Sequence, residues 1–534
     1  MALEDRIMMY YNAMRNMGIA SPAMTREALY LIKKTKEVYA QAKENETEDN
    51  VYNTMLSIAA EAGVMTPFNN SKSFYALYIT SDGDIPWEAV IGIEGSKMEQ
   101  RVPDVLIKEM EERFAPDTTT VLIPEAEKFI SRLSEMVEVH KGCRFTFTTQ
   151  NNFYHAILTE LFADNDDVEV IQTSVYEYEF LSKKFDLIIA SPAFGVRDMG
   201  ENGQFICREL ELVAFENLLL HLNSNGRLAI VLAARVTFAE GKVRDLREFV
   251  QSMYKIEEIA ELPNGTFMPY AAVKTYMIVV TTGKTEDVVI KKYSSGNDKL
   301  TAKTGLKELL VTDDSFVMED ELSEMGSWNL DRFFAMQSDA WEQYQNSSTP
   351  KNKLGDVAEI FRGKSISQKD ENGSIGVVNI TNVGDYDIDY DGLDHLDMEE
   401  RKVSNYLLQD GDVLIPARGT ALRVSIFEEQ TYPCIPSSNL IVIRPDQKML
   451  KSVCLKIFLD SEMGQKLLMG MQQGSTVVNI SYKDLGSLEV PTPPIGDQEQ
   501  MVDQYITERN RYKDAIQKAE LRWKDVLGDL QSRL

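Results

Sequence analysis

The chain has 534 residues, long enough for about two to four domains with cores of their own. Its hydrophobic content of 43% and charged content of 26% are those of an ordinary soluble globular protein. No apolar run approaches the roughly 18 residues of a membrane span, and the opening MALEDRIMMYYNAM lacks a signal-peptide layout, so a cytoplasmic location without membrane contact is expected. Four cysteines without a CxxC pair and only four histidines leave no basis for a metal site. The net charge of −28 opposes simple DNA binding, which draws much of its affinity from Lys and Arg on phosphates. Such a chain must confine its positive charge to one surface, borrow phosphate grip from a partner, or not bind DNA at all.

Residues 1–117 read as a largely helical region. Apolar residues recur at helical spacing through 6–14, 28–40 and 51–62. Two strands are predicted at 73–80 and 89–93, followed by a helix before Phe114. From 118 to 293 strand and helix alternate, the pattern of a parallel sheet with crossover helices. Strands are predicted at 120–123, 144–148, 168–173, 186–190, 227–232, 256–261 and 275–281, and helices at 125–139, 153–163, 205–222 and 243–254. The polar stretch from Ser294 and the acidic, irregular residues to Pro350 read as a linker, 294–350. An α+β unit follows over 351–494. Residues 495–534 form a proline-free helix whose Tyr512, Ile516, Ala519, Trp523, Val526 and Leu530 make a heptad seam.

The fourth predicted strand of the sheet, after Lys183-Lys184-Phe185, empties into Ser191-Pro192-Ala193-Phe194-Gly195. A loop at the carboxyl end of a parallel strand is where α/β sheets bind ligands. A side-chain oxygen, a backbone carbonyl and an aromatic face there suit the exocyclic amine of a flipped base. The stretch resembles the Asn-Pro-Pro-Phe motif of adenine-specific DNA methyltransferases, with Ser191 in place of Asn and Ala193 in place of the second Pro. Downstream, Leu262-Pro263-Asn264-Gly265-Thr266-Phe267 and Lys274-Thr275 make the region similar to the modification subunit of type I restriction–modification systems. That resemblance implies a Rossmann-like methyltransferase sheet, with Ser191, Pro192 and Phe194 as the catalytic turn.

It also implies S-adenosylmethionine held by a glycine-rich loop after the first strand and an acidic residue after the second. Here the first position reads Pro124-Glu125-Ala126-Glu127-Lys128 with no glycine, and the second ends in Thr149-Gln150-Asn151. Pro124, Glu125 and Gln150 are then remnants of a cofactor site. The expectation is a pseudoenzyme core that has kept the sheet as scaffold.

The unit over 351–494 resembles a target-recognition domain of type I specificity subunits. The resemblance is carried by Leu354-Gly355-Asp356, Arg362-Gly363, Asp410-Gly411-Asp412, Arg418-Gly419-Thr420, and Pro491, Pro493 and Pro494. In that family the domain reads duplex DNA. Arg362, Lys364, Arg418, Thr420, Arg423 and Asn439 are the candidate contacts, as long donors or amides on predicted loops. The acidic run 385–397 would face away from phosphate.

The resulting expectation is a sequence-specific DNA-recognition and scaffold subunit of a restriction–modification or phage-defence complex. Its partners would be double-stranded DNA, an active methyltransferase subunit carrying the S-adenosylmethionine or a second copy joined through the C-terminal coiled-coil helix, and a nuclease subunit. The alternatives are an active adenine-specific DNA methyltransferase with a divergent cofactor loop, and a protein–protein module in which both halves have lost their ligands.

Overall fold

Buried runs such as the all-buried Thr275–Thr281 have apolar neighbours on both faces, and they assemble one nine-stranded sheet. The strands are β1 (Thr120–Pro124), β2 (Arg144–Thr149), β3 (Val168–Gln172), β4 (Phe185–Ala190), β5 (Leu222–Ala233), β6 (Lys255–Glu261), β7 (Thr275–Thr281), β8 (Asp287–Ser294) and β9 (Leu310–Met318). They lie in the order β3-β2-β1-β4-β5-β7-β6-β8-β9. The first five are parallel, and β7 runs antiparallel between β5 and β6. The computed structural model describes residues 3–42, 46–81, 85–91, 93, 99–197, 203–285, 287–296, 300–301, 305–366, 370, 373–384, 386–418, 422–473, 479–480 and 482–533. The chain divides into two units, Met1–Trp328 and Asn329–Leu534, described separately below.

In the first unit the strand order turns around between β1 and β4, so their carboxyl ends frame a crevice. Asp186 fixes the opposite ends of the same strands. Its carboxylate accepts from the Thr119 and Thr120 N–H groups at 2.9 and 3.0 Å and from Asn223 Nδ2 at 2.7 Å. Burial works against ionisation of Asp186, but the donors from Asn223, Thr119 and Thr120 outweigh it and hold the carboxyl down to about 2.

All seven predicted strands of this sheet are present, and β8 and β9 extend it. The irregular stretch expected after Tyr293 therefore contains β9 and the helices Glu319–Met325, Leu330–Met336 and Asp339–Asn346. The single helix expected over 125–139 is interrupted: a short 3-10 turn, Ala126–Phe129, precedes the helix Leu133–Val139. The helix expected from Phe205 begins at Leu210.

Both strands predicted before residue 118 are corrected to helices, Ser71–Thr80 and Trp87–Ile91. Asn70 caps the first by accepting from the Ser73 N–H at 2.9 Å, and its buried Phe74, Leu77 and Tyr78 follow the three- and four-residue spacing of a helix. These helices and their N-terminal neighbours bury Leu29, Tyr30, Met55 and Phe74 against Phe153, Tyr154 and Ile157 of the helix Asn152–Leu161.

In the second unit the helices Leu330–Met336 and Asp339–Asn346 precede β10 (Lys351–Lys353), which pairs with Glu489–Pro491. Its larger sheet takes β11 (Ala358–Arg362), then further on β14 (Val413–Pro416), β15 (Ser425–Ile426) and β17 (Leu440–Pro445), in the order β11-β17-β14-β15. The smaller sheet holds β12 (Ile375–Val378), β13 (Asp394–Leu396) and β16 (Cys434–Pro436). A 37-residue helix, Ile495–Gln531, ends the unit. The fully buried Gln498 roots it, donating to Met449 O at 2.9 Å and Pro493 O at 2.7 Å and accepting from the Lys451 N–H at 2.8 Å. Beyond that root the heptad positions Tyr512, Ile516, Trp523, Val526 and Leu530 are exposed, Trp523 by 61%.

Candidate functional site

In the first unit the crevice between β1 and β4 is lined by the residues that directly follow the two strands. Glu125, next after β1, takes a left-handed backbone conformation (φ 49°, ψ 49°) that a non-glycine residue adopts at a cost of roughly 1 kcal/mol or more. Contacts offset that cost. Lys128 Nζ donates to Glu125 Oε2 at 2.7 Å and to Ser191 O at 3.0 Å, and the Tyr176 hydroxyl donates to Glu125 Oε2 at 2.9 Å. The Ala193 N–H donates to the same Tyr176 oxygen at 3.0 Å, so the loop after β1 and the turn after β4 are stitched together. These side chains bridge the two strand ends.

Ser191 is buried, and its acceptors are engaged by Gln100. The Gln100 Nε2 lies 2.9 Å from Ser191 Oγ and 3.3 Å from both Ser191 O and Pro192 O. Two of those acceptors are carbonyl oxygens, so the amide must present its nitrogen. Glu127 points into enclosed surroundings. Burial first, then the neighbouring Glu125 charge, pushes its carboxyl up to about 7, and its enclosed Oε2 has no hydrogen-bond partner among the described residues. Phe194 is also buried, set edge-on against Phe267 with ring centres 5.0 Å apart and planes at 71°.

The structure thus brings together Ser191, Pro192, Glu125 and, through Phe267, the Leu262–Phe267 loop. Pro124 ends β1 as a buried residue, whereas Gln150, next after β2, is exposed and directly precedes Asn151, the cap of the helix Asn152–Leu161. Gln100 and Tyr176 were absent from the sequence expectation. Neither belongs to a recognisable motif, and Gln100 stands 91 residues before Ser191.

The second unit gathers its candidate residues at one end of the larger sheet. Arg362 closes β11 opposite Ile441, Pro416 closes β14 opposite Leu440, and Ser425 of β15 pairs with Leu414. The residues just beyond these ends, Lys364, Arg418, Arg423 and Asn439, therefore share that edge. Gly363 makes the approach possible: a Cβ there would stand 2.1 Å from Ser437 O and 2.6 Å from Pro436 O. Arg362 Nε donates to Ser438 O at 2.8 Å, the Ala417 N–H donates to Asn439 O at 2.7 Å, and Lys364 Nζ lies 5.0 Å over the Tyr406 ring. Arg418 and Arg423 are exposed. Thr420 lies outside the described residues.

Asp412 of the Asp-Gly-Asp motif has a structural role. It is 1% exposed and receives Arg444 in a two-pronged ion pair, Nε to Oδ1 and Nη2 to Oδ2, both at 2.8 Å. In the acidic run, Asp387 pairs with Arg509 at 3.1 Å and with Lys513, both on the C-terminal helix.

Residues 146–312 match the family model for N-6 DNA methylases, and residues 348–507 match that for the type I restriction modification DNA specificity domain. The chain joins an N-6 DNA methylase region to a type I DNA specificity domain. One curated relative, the type I restriction enzyme EcoEI methylase subunit of Escherichia coli, is 28% identical over 109 residues, which are 19% of this chain and 22% of that protein. The chain thus spans about a fifth of that relative's length. A modification subunit of a putative type I restriction enzyme from Vibrio vulnificus aligns at 16% identity and a TM-score of 0.36, over 51% of this chain and 64% of that one. The type IIG restriction endonuclease BpuSI aligns at 11% identity and a TM-score of 0.41, over 88% and 70%. Among the described residues no group of three or more His, Cys, Asp or Glu side chains could hold a metal ion, and no helix is long and apolar enough to cross a membrane.

Proposed function

We propose that the chain is a sequence-recognition and scaffold subunit of a DNA-modification complex, with a methylase-type core that no longer transfers methyl groups. The observation that carries this reading is the Lys128–Glu125 ion pair at 2.7 Å, set directly after β1. A methyl donor with a carboxylate and a ribose needs open backbone there and a ribose-binding acid after β2. The residues present do not fit S-adenosylmethionine: a left-handed Glu125, a buried Lys128 bound to Ser191 O, and an exposed Gln150 at the second position. Recognition would belong to the specificity domain, where the edge bearing Arg362, Lys364, Arg418, Arg423 and Asn439 offers donors suited to phosphates and base edges. Those four cations would confine positive charge to one surface of a chain whose net charge is −28.

The partners that suit this reading are double-stranded DNA and either a catalytically intact methyltransferase chain or a second copy meeting the exposed seam of the helix Ile495–Gln531. A nuclease subunit would complete a restriction system. Calorimetric titration of the whole chain with S-adenosylmethionine tests the reading. No saturable heat up to about 1 mM donor is expected, whereas affinity near 1 μM would overturn it.

A second reading, an active adenine-specific methyltransferase with a divergent cofactor loop, draws on one observation. Ser191 Oγ and Pro192 O still converge on a single nitrogen donor. Methyl transfer to duplex DNA by the isolated chain would decide for it.

A further inference from the structure

We infer that Gln100 is an internal stand-in for the amine of a target base, its side-chain amide occupying the acceptors of the Ser191–Pro192 turn. The inference rests on reading that turn as an amine-accepting site. The likeness is chemical. A carboxamide nitrogen and an exocyclic amine on an aromatic ring are both planar and carry two donor hydrogens. The Gln100 nitrogen reaches Ser191 Oγ at 2.9 Å and Pro192 O at 3.3 Å, the side-chain and backbone pair that a base amine would use, together with Ser191 O at 3.3 Å.

The other end of the same amide is informative. Gln100 is 6% exposed, yet among the described residues its enclosed Oε1 has no hydrogen-bond partner. A glutamine placed for structural support would have both ends satisfied, since an unpaired buried acceptor is costly. Among the described residues only the donor end has partners.

The residues around Gln100 are fastened, by side chains at 99 and 101 and by main chain at 102, so the amide is presented and not merely swept in. Glu99 receives the buried Arg26 at 2.6 and 3.0 Å and the Tyr154 hydroxyl at 3.1 Å. Arg101 donates to Glu127 O at 2.6 Å, and the Val102 N–H donates to Lys128 O at 2.9 Å. Lys128 Nζ on Ser191 O then completes the set of engaged oxygens. The turn keeps the geometry of an amine site while its own chain satisfies it.

The test compares the full-length protein with Q100A and Q100M, titrated with free adenine and with its N,N-dimethyl counterpart, which lacks the donor hydrogens. Q100A should bind adenine at least about tenfold more tightly than the wild type and should reject the dimethyl compound, because only the first can replace the lost hydrogen bonds. Q100M fills the same space without donors and should stay as closed as the wild type. A Q100A protein with wild-type circular dichroism that gains no adenine affinity, or that takes both compounds equally, would overturn the inference. A measurement on the wild type stands beside these variants: the Gln100 side-chain amide protons should exchange with solvent far more slowly than those of exposed glutamines. Equal exchange rates would overturn the inference whatever the variants do. Titration with S-adenosylmethionine reads the inert-core proposal separately, since donor binding with Gln100 still closed would refute only that proposal.

Discussion

The Tyr176 hydroxyl donates to Glu125 Oε2 at 2.9 Å and accepts from the Ala193 N–H at 3.0 Å, which joins the two strand ends of the crevice. Tyr176→Phe removes one donor and one acceptor at once and leaves the Ala193 N–H and one Glu125 lone pair without protein partners. A loss of about 1–2 kcal/mol in unfolding free energy is expected, with an unchanged denaturant slope. Urea melts of the two proteins measure it.

Glu127 makes the stability of the first unit depend on pH in a defined direction. Its carboxyl titrates near 7 in the folded chain against 4.5 when free, burial being the main cause and the Glu125 charge the second. The folded state therefore holds the proton more tightly than the unfolded one. The contribution of this residue is most favourable below 4.5, falls as pH rises toward about 7, and is level above that. Glu127→Gln should remove the decline, so the variant gains on the wild type at about pH 8 and matches it at about pH 4.5. Unfolding free energies that keep the same pH slope in both proteins would refute this assignment.

The Asp412–Arg444 pair should behave as a buried ion pair does when one member is lost. Arg444→Ala strands a carboxylate that is 1% exposed, and a cost of about 3–5 kcal/mol to the second unit is expected. Replacing both, as Asp412→Asn with Arg444→Met, should recover most of that, because no uncompensated charge remains. Thermal melts of the single and double variants make the comparison.

If the sheet edge of the second unit reads DNA, its exposed cations should report on it. Arg418→Ala is expected to weaken binding to a selected duplex by about 1–3 kcal/mol and to relax preference at one base position. Arg423→Ala is expected to weaken all duplexes alike and to lower the salt slope by about 1. Binding isotherms over a salt series separate the two behaviours, and a pool selection that enriches no sequence would count against recognition altogether.

The sheet was legible in the sequence because its strands are short apolar runs cut by turn residues. Asp186 before Leu187–Ala190 and Asn225-Gly226 before Arg227 set their phase. The segment 73–80, SFYALYIT, was misread because it is apolar at nearly every position and so fits either period. Its helix is decided by the Asn70 cap and by burial against Tyr78's neighbours, which local pattern does not display. The polar residues after Ser294 hid β9, whose side chains are mostly exposed. For the crevice, the glycine-free loop was readable as a departure from a motif. Its occupants were not: Gln100 reaches Ser191 across 91 residues and Tyr176 reaches Glu125 across 51. In the second unit, Arg362, Lys364, Arg418, Arg423 and Asn439 could be named singly, but only the pairing of β11, β14, β15 and β17 puts them on one edge.

Gly363 lies so near Ser437 O that main-chain atoms alone lock β11 to the loop before β17. That close approach therefore does not depend on which long side chains the edge displays. Residues at 364, 418, 423 and 439 can be exchanged while that main-chain contact stays put, so a new base preference can be drafted onto the same support without redesigning it.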